Sequence, residues 1–243
     1  MKERLDILLV EKGLVSSREK ARALIMEGNV LVNGMPVSKA GSMVDAGAPI
    51  ELKGEEVPYV SRGGLKLEAA LHYFGINLKG LIAMDVGSST GGFTDCMLQR
   101  GAMKVYCIDV GYGQLAWSLR NDPRVVLLER TNIRYLEKER IRDMINVATI
   151  DVSFISLKNV LPKVREFVKE GGEILALVKP QFEVGKGEVG KGGIVREEEK
   201  RMGAVNSIRE FAEGLGLRSG GVFQSPVPGQ KGNREYFLHL RRP

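Results

Sequence analysis

Apolar positions near the start of the chain recur at helical spacing. Leu5, Leu8 and Leu9 predict a first short helix that Gly13 stops; Ala21, Leu24 and Ile25 predict a second, capped by Ser16 or Ser17. The period then changes. Val30, Leu31 and Val32 run into Asn33-Gly34, a strong hairpin signal, and Val37 and Ile50 to Leu52 add extended pieces around a loop through Gly41 and Gly47. Two helices and a small sheet are thus expected in residues 1–60, with Pro58 to Gly64 as a break.

Beyond that break, strands and helices alternate. Strands are predicted at Leu81 to Val86, Val105 to Val110, Val125 to Leu128, Val147 to Ile150, Ile174 to Lys179, Gly221 to Gln224 and Tyr236 to Leu240. Helices are predicted at Leu65 to Phe74, Gly92 to Arg100, Gly113 to Leu119, Glu137 to Met144, Leu157 to Lys169 and Arg196 to Gly214. Such alternation predicts an α/β domain over residues 61–243, built on a parallel sheet covered on both faces.

Composition supports a packed core: of 243 residues, 43% are hydrophobic and 27% charged, which excludes a disordered, collagen-like or disulfide-scaffold chain. Apolar runs such as Gly172 to Val178, interrupted by Glu173, fall far short of the roughly 20 residues that span a bilayer. The mixed-charge start shows no secretory signal, so a cytoplasmic location is expected, and Cys96 and Cys107 read as two reduced, packed thiols.

The net charge of +6 and pI near 9.3 permit a nucleic-acid partner. Residues 1–60 hold 8 basic and 9 acidic side chains, so a basic face there must come from clustering. Arg18, Lys20 and Arg22 on the second helix provide one. Together with Arg4-Leu5-Asp6 and Gly28 to Gly34, this segment resembles the RNA-binding module named after ribosomal protein S-four. The resemblance implies helices that meet phosphates, with Arg4, Arg18, Lys20, Arg22 and, within the break, Arg62 as candidates. A merely solvated helix face is the bland alternative.

Met84 to Thr94 reads as strand, glycine turn and helix start, with Asp109 ending the next strand, about 20 residues later. Glycines let backbone approach a ligand, and a carboxylate at that strand end can hold a ribose diol. The spacing is neither that of a phosphate loop nor of a GxGxxG fingerprint. It resembles the S-adenosylmethionine turn, which implies cofactor contacts from Asp85, Gly87, Ser88, Ser89, Gly91, Gly92, Phe93 and Asp109. Asn132 and Ile133, at the usual site for adenine edge contacts, and Phe154 join them.

Asp151 and Lys179 end two strands and should meet at the crevice. The Asn/Asp-Pro-Pro-aromatic loop of amine methylation is absent, and neither cysteine is placed as a nucleophile for cytosine C5 chemistry. Residues 64–243 resemble the FtsJ-like ribose 2′-O-methyltransferases, whose Lys-Asp-Lys-Glu tetrad falls on Lys66, Asp151, Lys179 and Glu235. With the N-terminal module, Ser61 to Leu67 and Val178 to Glu183, the whole chain resembles the haemolysin A (TlyA-type) family.

That resemblance implies a Rossmann-like S-adenosylmethionine-dependent methyltransferase domain behind a small α+β RNA-binding domain. It implies methylation of cytidine 2′-hydroxyls in small-subunit ribosomal RNA, large-subunit ribosomal RNA or both, with the RNA or ribosomal subunits as partner, no membrane and no metal. The chemistry agrees, because a ribose hydroxyl must lose its proton as it attacks the methyl carbon, and a lysine such as Lys179 can take it or stabilise the oxyanion. Asp151 would orient Lys179, while Lys66 and Glu235 position the ribose. Two alternatives remain at this stage: a membrane-damaging haemolysin, and an RNA-binding protein with an inactive methyltransferase domain.

Overall fold

A computed structural model describes residues 2–15, 17–26, 28–53, 57–185, 187–190 and 192–243, and the chain divides into two units, Met1–Ser61 and Arg62–Pro243. In the first unit, β1 (Lys2–Arg4) precedes α1 (Leu5–Glu11) and α2 (Arg18–Met26), followed by β2 (Val30–Val32), β3 (Met35–Pro36), β4 (Met43–Asp45) and β5 (Ile50–Leu52). Ser17 caps α2, its Oγ accepting from the Lys20 N–H at 3.2 Å; the Ser16 alternative lies outside the described residues. Asn33 and Gly34 both take positive φ, 52° and 75°, the geometry a tight hairpin needs, and β2 pairs with β3 and β5. The pairing of β1 with β4 gave no sequence signal, since three-residue strands are too short to show alternation. Leu5, Leu9, Ala21, Ile25, Val30 and Val32 form this unit's core.

The second unit runs α3 (Gly63–Phe74), β6 (Ile82–Val86), α4 (Gly92–Gln99), β7 (Lys104–Ile108), α5 (Trp117–Arg120), β8 (Val125–Leu128), β9 (Ile145–Ile150), α6 (Leu161–Phe167), β10 (Val168–Val178), α7 (Pro180–Glu183), α8 (Glu198–Gly214), β11 (Arg218–Gln224) and β12 (Tyr236–Arg241). Its seven-stranded sheet has the order β11-β12-β10-β9-β6-β7-β8. The inner strands read as near-continuous apolar runs because helices cover both faces, and Met84, Ile108, Ile150 and Leu238 are all buried in the sheet.

The sheet is mixed rather than wholly parallel, because β12 lies antiparallel to both β10 and β11. The connection from β11 to β12 carries no α-helix, so the last strand returns beside its predecessor as hairpins do. Three helix expectations are also corrected. Glu137 to Met144 holds only a 3₁₀ turn at Lys138–Arg140, since Leu136 and Ile141 alone are anchored and the residues between are exposed. The helix expected from Gly113 shrinks to the single turn of α5, Gly113 itself having φ 69°. The long one from Leu157 splits into a 3₁₀ turn at Leu157–Asn159 and α6, after which Val168 already belongs to β10. Both cysteines are free and buried.

Candidate active site and RNA-facing residues

From the end of β6 the chain turns through Gly87, Ser89 and Gly91, with φ of 87°, 47° and 97°, into α4. A Cβ on Gly87 would overlap the Asp151 carbonyl oxygen and stand 2.9 Å from its carbon, so only glycine lets this turn lie against the end of β9. Gly91 is similarly confined, since a Cβ there would lie 2.8 Å from Leu115 Cδ1. Asp109, just past β7, holds the turn open: its carboxylate accepts from the Ser89 N–H at 2.7 Å and the Gly111 N–H at 2.6 Å. The buried Ser88 Oγ has no hydrogen-bond partner among the described residues. A confined glycine turn, a carboxylate at the next strand's end and an unsatisfied hydroxyl fit a nucleoside-bearing cofactor such as S-adenosylmethionine.

Not every expected cofactor contact offers a side chain. Gly92 opens α4, but Phe93 turns its ring into the core, 6.0 Å from Phe237. Ile133 is likewise buried, and Asn132 Oδ1 caps the 3₁₀ turn at Ile133–Tyr135 by accepting from the Arg134 N–H at 3.1 Å. These residues can meet a ligand chiefly through their main chain.

Asp85 lies beneath the turn with no exposed surface. Burial pushes its carboxyl up to about 7, Thr94 pulls part of the way back by donating to Oδ2 at 2.7 Å, and the charge of Asp151 pushes the same way as burial. Thr149 donates to Oδ1 at 3.2 Å. Burial also pushes the Cys107 thiol far above its ordinary range, so it is no nucleophile.

The four tetrad residues form two ion pairs. Lys179 Nζ lies 2.6 Å from Asp151 Oδ1 and also donates to Ser153 Oγ at 2.9 Å. Lys66 Nζ, in the first turns of α3, donates to Glu235 Oε2 at 2.7 Å. Strand register brings the pairs to one edge, since β9 and β10 end at Ile150 and Val178, and Val178 faces Tyr236 across the antiparallel ladder. Asp151, Lys179 and Glu235 therefore flank one end of the sheet's centre, the end where the glycine turn lies. Glu235 is almost fully buried, and the Gly229 backbone presses on its carboxylate so closely that a Cβ there would overlap Oε1.

Sequence reasoning missed the role of Glu183 and, at the expected cofactor residue Phe154, the conformation. Glu183 in α7 accepts from Ser156 Oγ at 2.6 Å and the Leu157 N–H at 2.9 Å, tying the loop after Asp151 to the helix after Lys179; burial pushes its carboxyl upward. Phe154, between those ends, is 85% exposed in a left-handed conformation (φ 63°), its ring 5.0 Å from Phe182. A non-glycine residue held this way costs on the order of 1–3 kcal/mol.

In the first unit, Asp6 is fully buried and accepts from three arginines: Arg4 Nε at 2.9 Å, Arg18 Nε at 2.8 Å and Arg22 Nε at 3.2 Å. Their guanidiniums hold its carboxyl far below the usual range. Lys20 lies on the same helix, and Arg62 is half-buried at the start of α3. In the loop from Gly185 to Gly193, Lys186 and Lys191 lie outside the described residues. Among the described residues no group of His, Cys, Asp or Glu is arranged to hold a metal ion, and no helix is long and apolar enough to cross a membrane.

The second unit thus has the sheet and the turn of a methyltransferase. Residues 59–242 match the FtsJ-like methyltransferases and residues 3–50 the S4 domain. The chain belongs to the FtsJ-like methyltransferase family, which uses S-adenosylmethionine. It is 49% identical over 239 residues to the 16S/23S rRNA (cytidine-2′-O)-methyltransferase TlyA of Mycobacterium tuberculosis, covering 98% of this chain and 89% of that one. Hemolysin A of Brachyspira hyodysenteriae is 41% identical, covering 98% and 99%. A solved structure from Streptococcus thermophilus, described as a hemolysin, superposes with a TM-score of 0.79 at 45% identity over 99% of this chain and 88% of that one.

Proposed function

We propose that the protein transfers a methyl group from S-adenosylmethionine to the 2′-hydroxyl of a cytidine in ribosomal RNA, as the name of the Mycobacterium relative describes for that enzyme. The observation that carries this reading is the paired tetrad, Lys179 with Asp151 and Lys66 with Glu235, beside the glycine turn. The cofactor supplies an electrophilic methyl group on a sulfonium. Gly87 to Gly92 and Asp109 would hold it.

Everything else falls to the chain. A 2′-oxygen attacking that methyl group must shed its proton; Lys179 Nζ takes it when it enters the step as the free amine, or as the ammonium holds the developing negative charge while the proton leaves to solvent. Asp151 and Ser153 fix where Nζ points, and the Glu183 bonds keep the two loops in register. Lys66 and Glu235 present a second fixed cation and carboxylate to the ribose. Arg4, Arg18, Lys20, Arg22 and Arg62 bind RNA phosphates, because a methyltransferase crevice reads few nucleotides and target choice needs contacts elsewhere. Such an enzyme works where ribosomal RNA is made, in the cytoplasm.

Mapping ribosomal RNA 2′-O-methylation in cells with and without the gene tests this directly. Loss of methyl groups at discrete cytidines is expected, restored by the wild-type gene and not by Lys179→Ala; an unchanged map would end the proposal. The membrane-damaging alternative rests on a relative's name, and purified protein should release no dye from liposomes.

A further inference from the structure

Three like charges do not gather without cause, and the first unit gathers three around one carboxylate. Asp6 has no exposed surface, whereas Arg4, Arg18 and Arg22 each keep about half of theirs, so the cluster is neutralised from inside and presents cations outward. The three come from separate points of the chain, just ahead of α1 and along α2. Arg18 and Arg22 spend only Nε on Asp6, and neither side chain makes another hydrogen bond among the described residues. Each therefore keeps its paired terminal nitrogens, the edge of a guanidinium that grips a phosphate with two parallel hydrogen bonds. Arg4 spends Nε and one terminal nitrogen, at 2.9 and 3.1 Å, and lies over Gly41, where a Cβ would stand 3.4 Å from it.

We infer that Asp6 is the positioning residue of a phosphate-binding fork made by Arg4, Arg18 and Arg22, and that its ligand is a backbone phosphate of RNA. The inference rests on the reading of this unit as RNA-binding. One carboxylate among three guanidiniums leaves a net double positive charge, enough to bind a phosphodiester tightly. Without Asp6 the three would repel one another and spread, each charge retained but no longer aimed at one point.

That gives the idea an unusual sign. Counting charge alone, Asp6→Asn raises the net charge from +6 to +7 and should tighten binding to any polyanion. Positioning predicts the opposite: about 10- to 100-fold weaker binding, the range for losing charge-assisted hydrogen bonds. Transcribed 16S and 23S ribosomal RNA would serve as probes for the full chain in filter binding across a salt series. The variant should also show a shallower dependence of affinity on salt, because fewer counterions leave when guanidiniums no longer converge on a phosphate, while S-adenosylmethionine affinity stays as in the wild type.

Arg18→Lys with Arg22→Lys provides a second measurement. Charge is kept and the fork is lost, so affinity should again fall by at least about 10-fold. Equal or tighter binding by a folded Asp6→Asn overturns the inference. If that variant unfolds the first unit by circular dichroism, full affinity in the double lysine variant overturns it instead. Should replacing all three arginines by alanine leave RNA affinity intact, the RNA-binding reading of the unit itself is wrong, and that is a separate failure.

Discussion

Lys179 Nζ sits between two oxygens, Asp151 Oδ1 and Ser153 Oγ, so its direction is set before any substrate arrives. Lys179→Ala should lower the rate of methyl transfer by about 10² to 10⁴, the usual worth of a proton-transfer group, with RNA and cofactor affinities nearly unchanged. Single-turnover assays with radiolabelled cofactor decide it, and retention of a tenth of the wild-type rate would assign the proton to another group. Asp85 makes a different prediction. Its carboxyl is raised from 3.8 in the unfolded chain to about 7 when folded, so between those values the native state holds a proton that the unfolded state has lost. Stability from this residue is full below about pH 4 and falls as pH rises, by roughly 1.4 kcal/mol per unit, until near pH 7. Thermal unfolding of wild type and Asp85→Asn should differ by a gap that changes across that window and is flat above it. These residues were legible to different degrees: the tetrad and the glycine turn stood out as motifs, whereas Asp6 as an organiser and Glu183 as a brace did not, since both act through partners that only folding supplies.

Among elements, the turn between β6 and α4 is the least replaceable. Gly87→Ala meets two penalties, a positive φ that costs an L-residue about 1–2 kcal/mol and a Cβ that collides with the Asp151 carbonyl. The collision pushes on the loop that carries Asp151, so the expected result is a lower melting temperature together with lost cofactor binding by calorimetry and lost turnover. A variant that binds S-adenosylmethionine normally would show that the turn does not need glycine there. Sequence periodicity located most elements because buried strands and amphipathic helices carry strong patterns. It failed where that pattern is thin. Glu137 to Arg140 are all exposed, so nothing pins a helix there, and strand direction near the chain's end depends on the connection before β12, which periodicity does not encode.

At the scale of the whole molecule, the chain divides into units Met1–Ser61 and Arg62–Pro243, which on the proposed reading separate target choice from chemistry. A fragment of residues 62–243 should bind S-adenosylmethionine like the full chain and yet methylate ribosomal RNA poorly, because the second RNA site is no longer tethered and its effective concentration is lost. Full activity from that fragment on its natural RNA would make the first unit dispensable. The two-part organisation was visible as a change of hydrophobic period near Pro58, whereas the mixed sheet was not. That sheet bears on how the enzyme comes into being. β12 lies in its interior, between β10 and β11, and Glu235 at its start pairs with Lys66, 169 residues earlier. Contacts so distant in sequence must first meet the entropy of closing the chain between them. A nascent chain emerging from the ribosome therefore has its glycine turn and Lys179 well before it has a tetrad. On the proposed reading of the tetrad, methyl transfer would wait until β12 is inserted between β10 and β11.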